Sequence, residues 1–128
     1  MRLLLLPGRL AVARLPGTAA LPTWAEGKGL VSITRRDGEL SIVCADERVP
    51  QDVRAERGWR ALEVAGTIDF QVVGLIHALT GPLVRAGVSV FTIATFDTDL
   101  VLVREATLAR AIEALRESGY PVDETGGA

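Results

Sequence analysis

Residues 91–103, FTIATFDTDLVLV, place two apolar alternations on either side of a short segment holding Asp97, Thr98 and Asp99. Apolar side chains at every second position describe a strand with one buried face, so the stretch reads as strand, turn, strand. The acids either turn the hairpin or also hold a ligand. The same template occurs at residues 31–45, VSITRRDGELSIVCA. There Asp37-Gly38 is the dipeptide that favours a two-residue hairpin turn with positive φ, and Leu40, Ile42 and Cys44 alternate with Ser41 and Val43. At an offset of 60 residues and without a gap, Ile33 meets Ile93, Asp37 meets Asp97, Glu39 meets Asp99 and Gly27 meets Gly87. Leu40, Ile42 and Val43 then meet Leu100, Leu102 and Val103. A shared acid-x-acid-Leu turn with an upstream glycine points to an internal repeat.

A chain of 128 residues that is 48% hydrophobic has room for one modest domain or two very small ones. With 14 basic and 16 acidic side chains it carries a formal charge of −2. It has no cluster of Lys and Arg interleaved with aromatics, which argues against nucleic acid as a partner. Cys44 and His77, single of their kinds, assemble neither a disulfide nor a four-ligand zinc motif. The opening MRLLLLPGRLAVARLPG is interrupted at Pro7-Gly8-Arg9 after a short leucine run, too early for a signal-peptide core or a membrane span. It reads as an ordered strand of a cytoplasmic protein, with no membrane partner.

The second half is expected to run β-α-β-β-α-β. Trp59 to Gly66 has strand alternation. Asp69 is placed to cap a helix from Phe70 whose apolar stripe is Val72, Val73, Ile76, Leu79 and Leu83. Pro82 should kink or break that helix near Gly81. Gly87 suits a helix C′ position ahead of a strand from Val88 to Thr95. After the hairpin and a strand from Leu100 to Arg104, Leu108, Ile112 and Leu115 define a second amphipathic helix ending at Gly119, and Tyr120-Pro121-Val122 supplies a last strand. The first half is shorter: a strand at Leu10 to Leu15, a single helical turn at Pro22 to Glu26, the Asp37-Gly38 hairpin, and a short polar helical piece between Glu47 and Gly58. The expected fold class is α+β, a ferredoxin-like βαββαβ unit over residues 59–128 with an abbreviated copy over 1–58, built from antiparallel sheets with helices on one face.

The succession GLVSITRRDGELSIVCADERVP, GWRALEVAGTIDF and GPLVRAGVSVFTIATFDTDLVLV resembles the bacterial tandem ACT-domain proteins related to the ACT modules of the CASTOR arginine sensors and of aspartate kinases. The resemblance extends from about Leu10 to Tyr120. It implies an ACT fold, binding of an amino acid or another small metabolite, and a report of occupancy to a partner or regulated enzyme, with a homodimer expected. It also implies a ligand seat between the loop entering the first helix and the neighbouring strands. Where family members often have Ser-Thr-Tyr or Ser-Thr-Phe before the acidic turn, this chain has Ala94; where they carry Pro-Leu-Asp-Phe, it has Thr67-Ile68-Asp69-Phe70.

An α-amino acid presents a carboxylate and an ammonium group, so its site needs a positive end and a negative one. The helix entrance from Asp69 and Phe70 to Gly74 offers free amide N–H groups and the positive end of the helix dipole. Asp97 and Asp99, with Thr95 and Thr98, can take the ammonium group through charge-assisted hydrogen bonds. Each residue also has a structural role to set beside this: Asp69 as N-cap, Gly74 as a helix-packing contact, Asp97 and Asp99 as exposed turn residues. Cys44 is expected as a buried strand thiol, His77 on a helix surface, and Trp24 and Trp59 in a core. No nucleophile with a base, phosphate loop or GxGxxG is present, so neither enzyme activity nor a cofactor or metal is expected. The alternative to a sensor is a ligand-free interaction module that forms homodimers.

Overall fold

The computed structural model describes residues 1–67 and 73–125. The chain forms two compact units, Gly8–Trp59 and Met1–Pro7 together with Arg60–Ala128. The opening residues, which the sequence assigns to the first half, therefore pack with the second.

In the unit Gly8–Trp59, strand β2 (Leu10–Leu15) pairs antiparallel with β4 (Glu39–Ala45), and β4 pairs antiparallel with β3 (Ser32–Arg36). The other edge of β2 pairs with the first residues of β5 (Ala55–Val64). Ala11 and Ala13 on β2, with Leu40, Ile42 and Cys44 on β4, stand at alternate positions and so face one side, where Ala25 and Val49 close over them. The cover is two short 3₁₀ turns, Thr23–Ala25 and Asp46–Arg48, rather than a long helix. The β3–β4 turn has Arg36 opposite Glu39, as a two-residue loop requires. Only Gly38 takes a positive φ, 83°, and Asp37 does not, so the loop is not the type I′ turn that an Asp-Gly dipeptide favours. Gly17 lies against this turn: a Cβ there would stand 2.7 Å from the Gly38 N, 2.8 Å from the Glu39 N and 3.0 Å from the Arg36 O. All three are backbone atoms that cannot rotate away. Gly17→Ala is therefore expected to cost about 1–3 kcal/mol in urea denaturation; an unchanged midpoint would show that the turn yields freely.

In the other unit, β1 (Leu3–Leu5) pairs antiparallel with the end of β5 and parallel with β8 (Val122–Asp123). On its far side β5 pairs with β7 (Asp99–Arg104), which pairs antiparallel with β6 (Val90–Ala94). With α1 (Leu75–Arg85) and α2 (Leu108–Glu117), the run β5-α1-β6-β7-α2-β8 is the βαββαβ order, and β1 is inserted between its first and last strands. Leu3 and Leu5, Leu62 and Val64, Val101 and Val103 each stand two residues apart and face one side of the sheet. Both helices pack on that side through Leu79, Leu83, Ala111, Ile112 and Leu115.

Several expectations shift here. Helix α1 starts at Leu75 and not at Phe70, because Gly74 sits at φ 81° and a left-handed residue interrupts any helix entering from upstream. Asp69, expected as the cap of a helix at Phe70, and Val72, expected in the stripe, lie outside the described residues. Val73 is 94% exposed and Ile76 is 40% exposed, so the buried stripe contracts to Leu79, Pro82 and Leu83. Pro82 does not end the helix, which continues to Arg85. Strand β5 begins at Ala55, earlier than Trp59, and the polar helical piece is only the 3₁₀ turn at Asp46–Arg48. Both helices close in the same way. The Gly87 N–H donates to the Val84 carbonyl and the Val88 N–H to the Leu83 carbonyl, while the Gly119 and Tyr120 N–H groups repeat this on Arg116 and Leu115. These are Schellman caps, with Gly87 and Gly119 in the left-handed C′ position.

Candidate functional site

The β6–β7 turn closes on Ala94 opposite Asp99, leaving Thr95, Phe96, Asp97 and Thr98 as the loop. Its threonines hold it. The Thr95 N–H donates to the Thr98 carbonyl at 2.8 Å, and the Thr98 N–H donates to Thr95 Oγ1 at 3.1 Å. Thr95 Oγ1 also lies 3.1 Å from the Thr98 carbonyl oxygen as donor. The Thr98 hydroxyl donates out of the loop, to the Val64 carbonyl at 2.7 Å. Val64 is the last residue of β5, so this bond fixes the turn beside the point where the chain leaves the sheet toward α1.

The acids, by contrast, do not build the turn. Asp97 is exposed and Asp99 half-buried, and among the described residues neither carboxylate has a hydrogen-bond or ion-pair partner. The expectation that aspartate turns this loop through its own local bonding is thus replaced by threonine bonding. Helix α1 begins without any side-chain cap. Gly74 is its N-cap, and the Gly74 carbonyl accepts the Ala78 N–H at 2.9 Å. The Leu75, Ile76 and His77 amides belong to the first turn, whose N–H groups have no partner within a helix. A Cβ at position 74 would meet nothing within 4 Å, so this glycine is required by its φ and not by a close helix contact. Asp69 and Phe70 lie outside the described residues. Of the expected set, Gly74, Thr95, Asp97, Thr98 and Asp99 all belong to the one unit. Thr95 and Thr98 have their hydroxyls committed to protein. What the sequence does not signal is the Val64 carbonyl, a main-chain group that any residue would supply.

Elsewhere, Cys44 is fully buried, and burial pushes its thiol pKa up, with the neighbouring Arg48 guanidinium acting against that. A thiol held protonated is a poor nucleophile. Arg48 itself donates to the Trp24 carbonyl at 3.2 Å and to the Lys28 carbonyl at 3.1 Å, spanning a segment that carries Gly27. His77 is on the exposed side of α1. Trp59 is 6% exposed and Trp24 packs against the core of its unit. Among the described residues no three His, Cys, Asp or Glu side chains gather as a metal site, and no helix is long and apolar enough to cross a membrane.

The family model of the ACT domain matches residues 54–117, and a separate model, of an N-terminal domain, matches residues 8–52. The chain belongs to the ACT-domain family. This ACT protein superposes on a crystal structure from Agobacterium tumefaciens with a TM-score of 0.89 and 40% identity, over 94% of this chain and 90% of that one. Aspartate kinase of Clostridium acetobutylicum shares the fold, with a TM-score of 0.64 and 10% identity over 86% of this chain and 32% of the enzyme. In sequence, the ACT protein is 28% identical over 118 residues to the cytosolic arginine sensor for mTORC1 subunit 1 of Bos taurus, across 86% of this chain and 34% of the sensor. It therefore spans about a third of the length of the curated relatives it matches.

Proposed function

We propose that this chain is a non-catalytic regulatory protein that binds a small molecule, an amino acid, and passes on its occupancy through self-association or to a regulated enzyme in the cytoplasm. The observation that carries this reading is the Thr98–Val64 hydrogen bond, which holds two carboxylates that have no partner among the described residues next to the end of β5. Asp97 and Asp99 take the ammonium group. The first turn of α1, which follows Gly74 in the chain, takes the carboxylate, and Asp69 and Phe70 are proposed to join it. Thr95 and Thr98 position the acids by fixing the loop. Membership in the ACT-domain family supports a ligand-binding role, and the arginine-sensor relative supports an amino acid as ligand.

A thermal-shift screen of the full chain against the proteinogenic amino acids tests this. A ligand at a hundred times its Kd stabilises by about 2.7 kcal/mol. Asp97→Ala and Asp99→Ala are expected to abolish the shift while leaving the ligand-free melting temperature nearly unchanged, because neither carboxylate bonds within the described protein. If both variants respond like the parent, the acids are not the ammonium site. The second reading, a ligand-free homodimerising module, is favoured by the apolar surface of α1, where Ile76 and Val84 are 40% and 68% exposed. A concentration-dependent dimer with no response to any amino acid would support it.

A further inference from the structure

Between α1 and the turn that ends α2 lies a groove of about 460 Å³ that the amino-acid proposal does not use. Its floor is Ala78, Gly81 and Pro82; its rim is His77, Arg85, Ser118 and Tyr120, with no acidic residue among them. The floor is shaped by what is missing from it. A Cβ on Gly81 would come within 3.3 Å of Arg85 Nη1, so the guanidinium lies close over the helix at that residue. Pro82 has no N–H, so the Ala78 carbonyl lacks its ordinary helical donor, and the buried ring of Pro82 stands in that place. On the rim, Ser118 and Tyr120 are the C-cap and C″ residues of α2; the Ser118 amide donates to the Ala114 and Leu115 carbonyls and the Tyr120 amide to the Leu115 carbonyl, while their hydroxyls are uncommitted among the described residues. Among the described residues the side chains of His77, Arg85, Ser118 and Tyr120 have no hydrogen-bond or ion-pair partner.

A solitary surface arginine is ordinarily solvated and means little. Here a guanidinium, an imidazole and two hydroxyls border one concavity without a neutralising acid, and the volume falls in the range of small-molecule sites, roughly 300–1,000 Å³. The guanidinium fork matches two oxygens of a carboxylate or phosphate. We propose that this groove binds a small organic anion, its carboxylate or phosphate oxygens held by Arg85 and His77 with the Ser118 and Tyr120 hydroxyls. The site is separate from the acidic β6–β7 turn and does not depend on the amino-acid proposal.

Citrate and AMP are the probes, titrated separately into the ¹⁵N-labelled full chain at constant ionic strength, with sodium chloride as the control salt. The expected result is saturable shifting of the Gly81 and Tyr120 amides by at least one probe, citrate reporting carboxylate and AMP reporting phosphate. Arg85→Gln should weaken that binding at least tenfold, and Tyr120→Phe, which keeps the ring, several-fold. The Asp97→Ala and Asp99→Ala variants should bind the probe as the parent does. Shifts that never saturate, shifts of equal size in Arg85→Gln, or loss of binding in the aspartate variants would each overturn the assignment.

Discussion

Leu83→Ala is expected to lower the unfolding free energy by about 2–5 kcal/mol, measured by urea denaturation with the slope unchanged. The side chain is fully buried in the cluster where α1 meets Leu62, Val64, Val101 and Val103. Its carbonyl also accepts the Val88 N–H in the Schellman cap, and in that motif the residues at these two positions pack together, as Leu83 and Val88 do here within one cluster. Truncation therefore opens a cavity and loosens the point at which the chain turns from α1 into β6. The neighbouring Val84→Ala is the control. Val84 is 68% exposed, and its truncation is expected to stay within about 0.5 kcal/mol. Equal costs for the two variants would mean that α1 does not pack as described.

The contrast between these adjacent residues was partly visible in the sequence, since the spacing of Leu79 and Leu83 marks the inner face of α1. What periodicity over-extended was the stripe upstream. Val73 and Ile76 fit a helix beginning at Phe70, but Gly74 is cheaper than any other residue at positive φ, and α1 begins only after it. Pro82 misled in the other direction. It removes a single helical hydrogen bond near the end of α1, and its ring is buried, so packing retained the helix through it.

The 60-residue echo fares differently on its two strands. β4 and β7 begin at the matched residues Glu39 and Asp99. The strands before them do not correspond: Ile33 pairs with Ile42, whereas Ile93 pairs with Leu100. Glycine explains the slip. Gly38 at φ 83° lets the first hairpin turn within two residues, while no residue from Thr95 to Thr98 takes a positive φ, and the second hairpin needs a longer loop. That longer loop gives Asp97 and Asp99 their setting. The sequence located the acids, but the Thr98–Val64 bond that anchors them joins a side chain to a carbonyl, and no residue type at position 64 signals it.

Gly58 is the other glycine whose meaning depends on context, and it leads to the second large effect. Expected at the end of the polar piece from Glu47, ahead of a strand at Trp59, it lies inside β5, at φ 74°. The register of β2 against β5 slips there, with Leu10 opposite Trp59 but Val12 opposite Glu56. The strand accommodates one extra residue as a bulge, and left-handed glycine suits that position. The Gly58 N–H donates at 2.9 Å to Asp46 Oδ2, while Asp46 Oδ1 accepts from Arg57 Nη1 at 2.8 Å. Arg57 Nη2 continues to the Val49 and Pro50 carbonyls at 3.0 and 2.9 Å. One carboxylate thus satisfies the bulge and, through Arg57, secures the chain leaving β4. Asp46→Ala is expected to cost about 2–4 kcal/mol, combining an amide left without its acceptor and a partly shielded ion pair that loses its anion. The figure sits below that of a fully buried pair because the Arg57 and Asp46 side chains retain 27% and 22% exposure. Asp46→Asn keeps one oxygen for the Gly58 N–H but turns an amide toward Arg57, so it should recover only part of the loss. A double-mutant cycle with Arg57→Met separates the two contributions. Coupling near zero would mean that the carboxylate serves the bulge alone and that Arg57 holds the 46–50 segment through its carbonyl bonds.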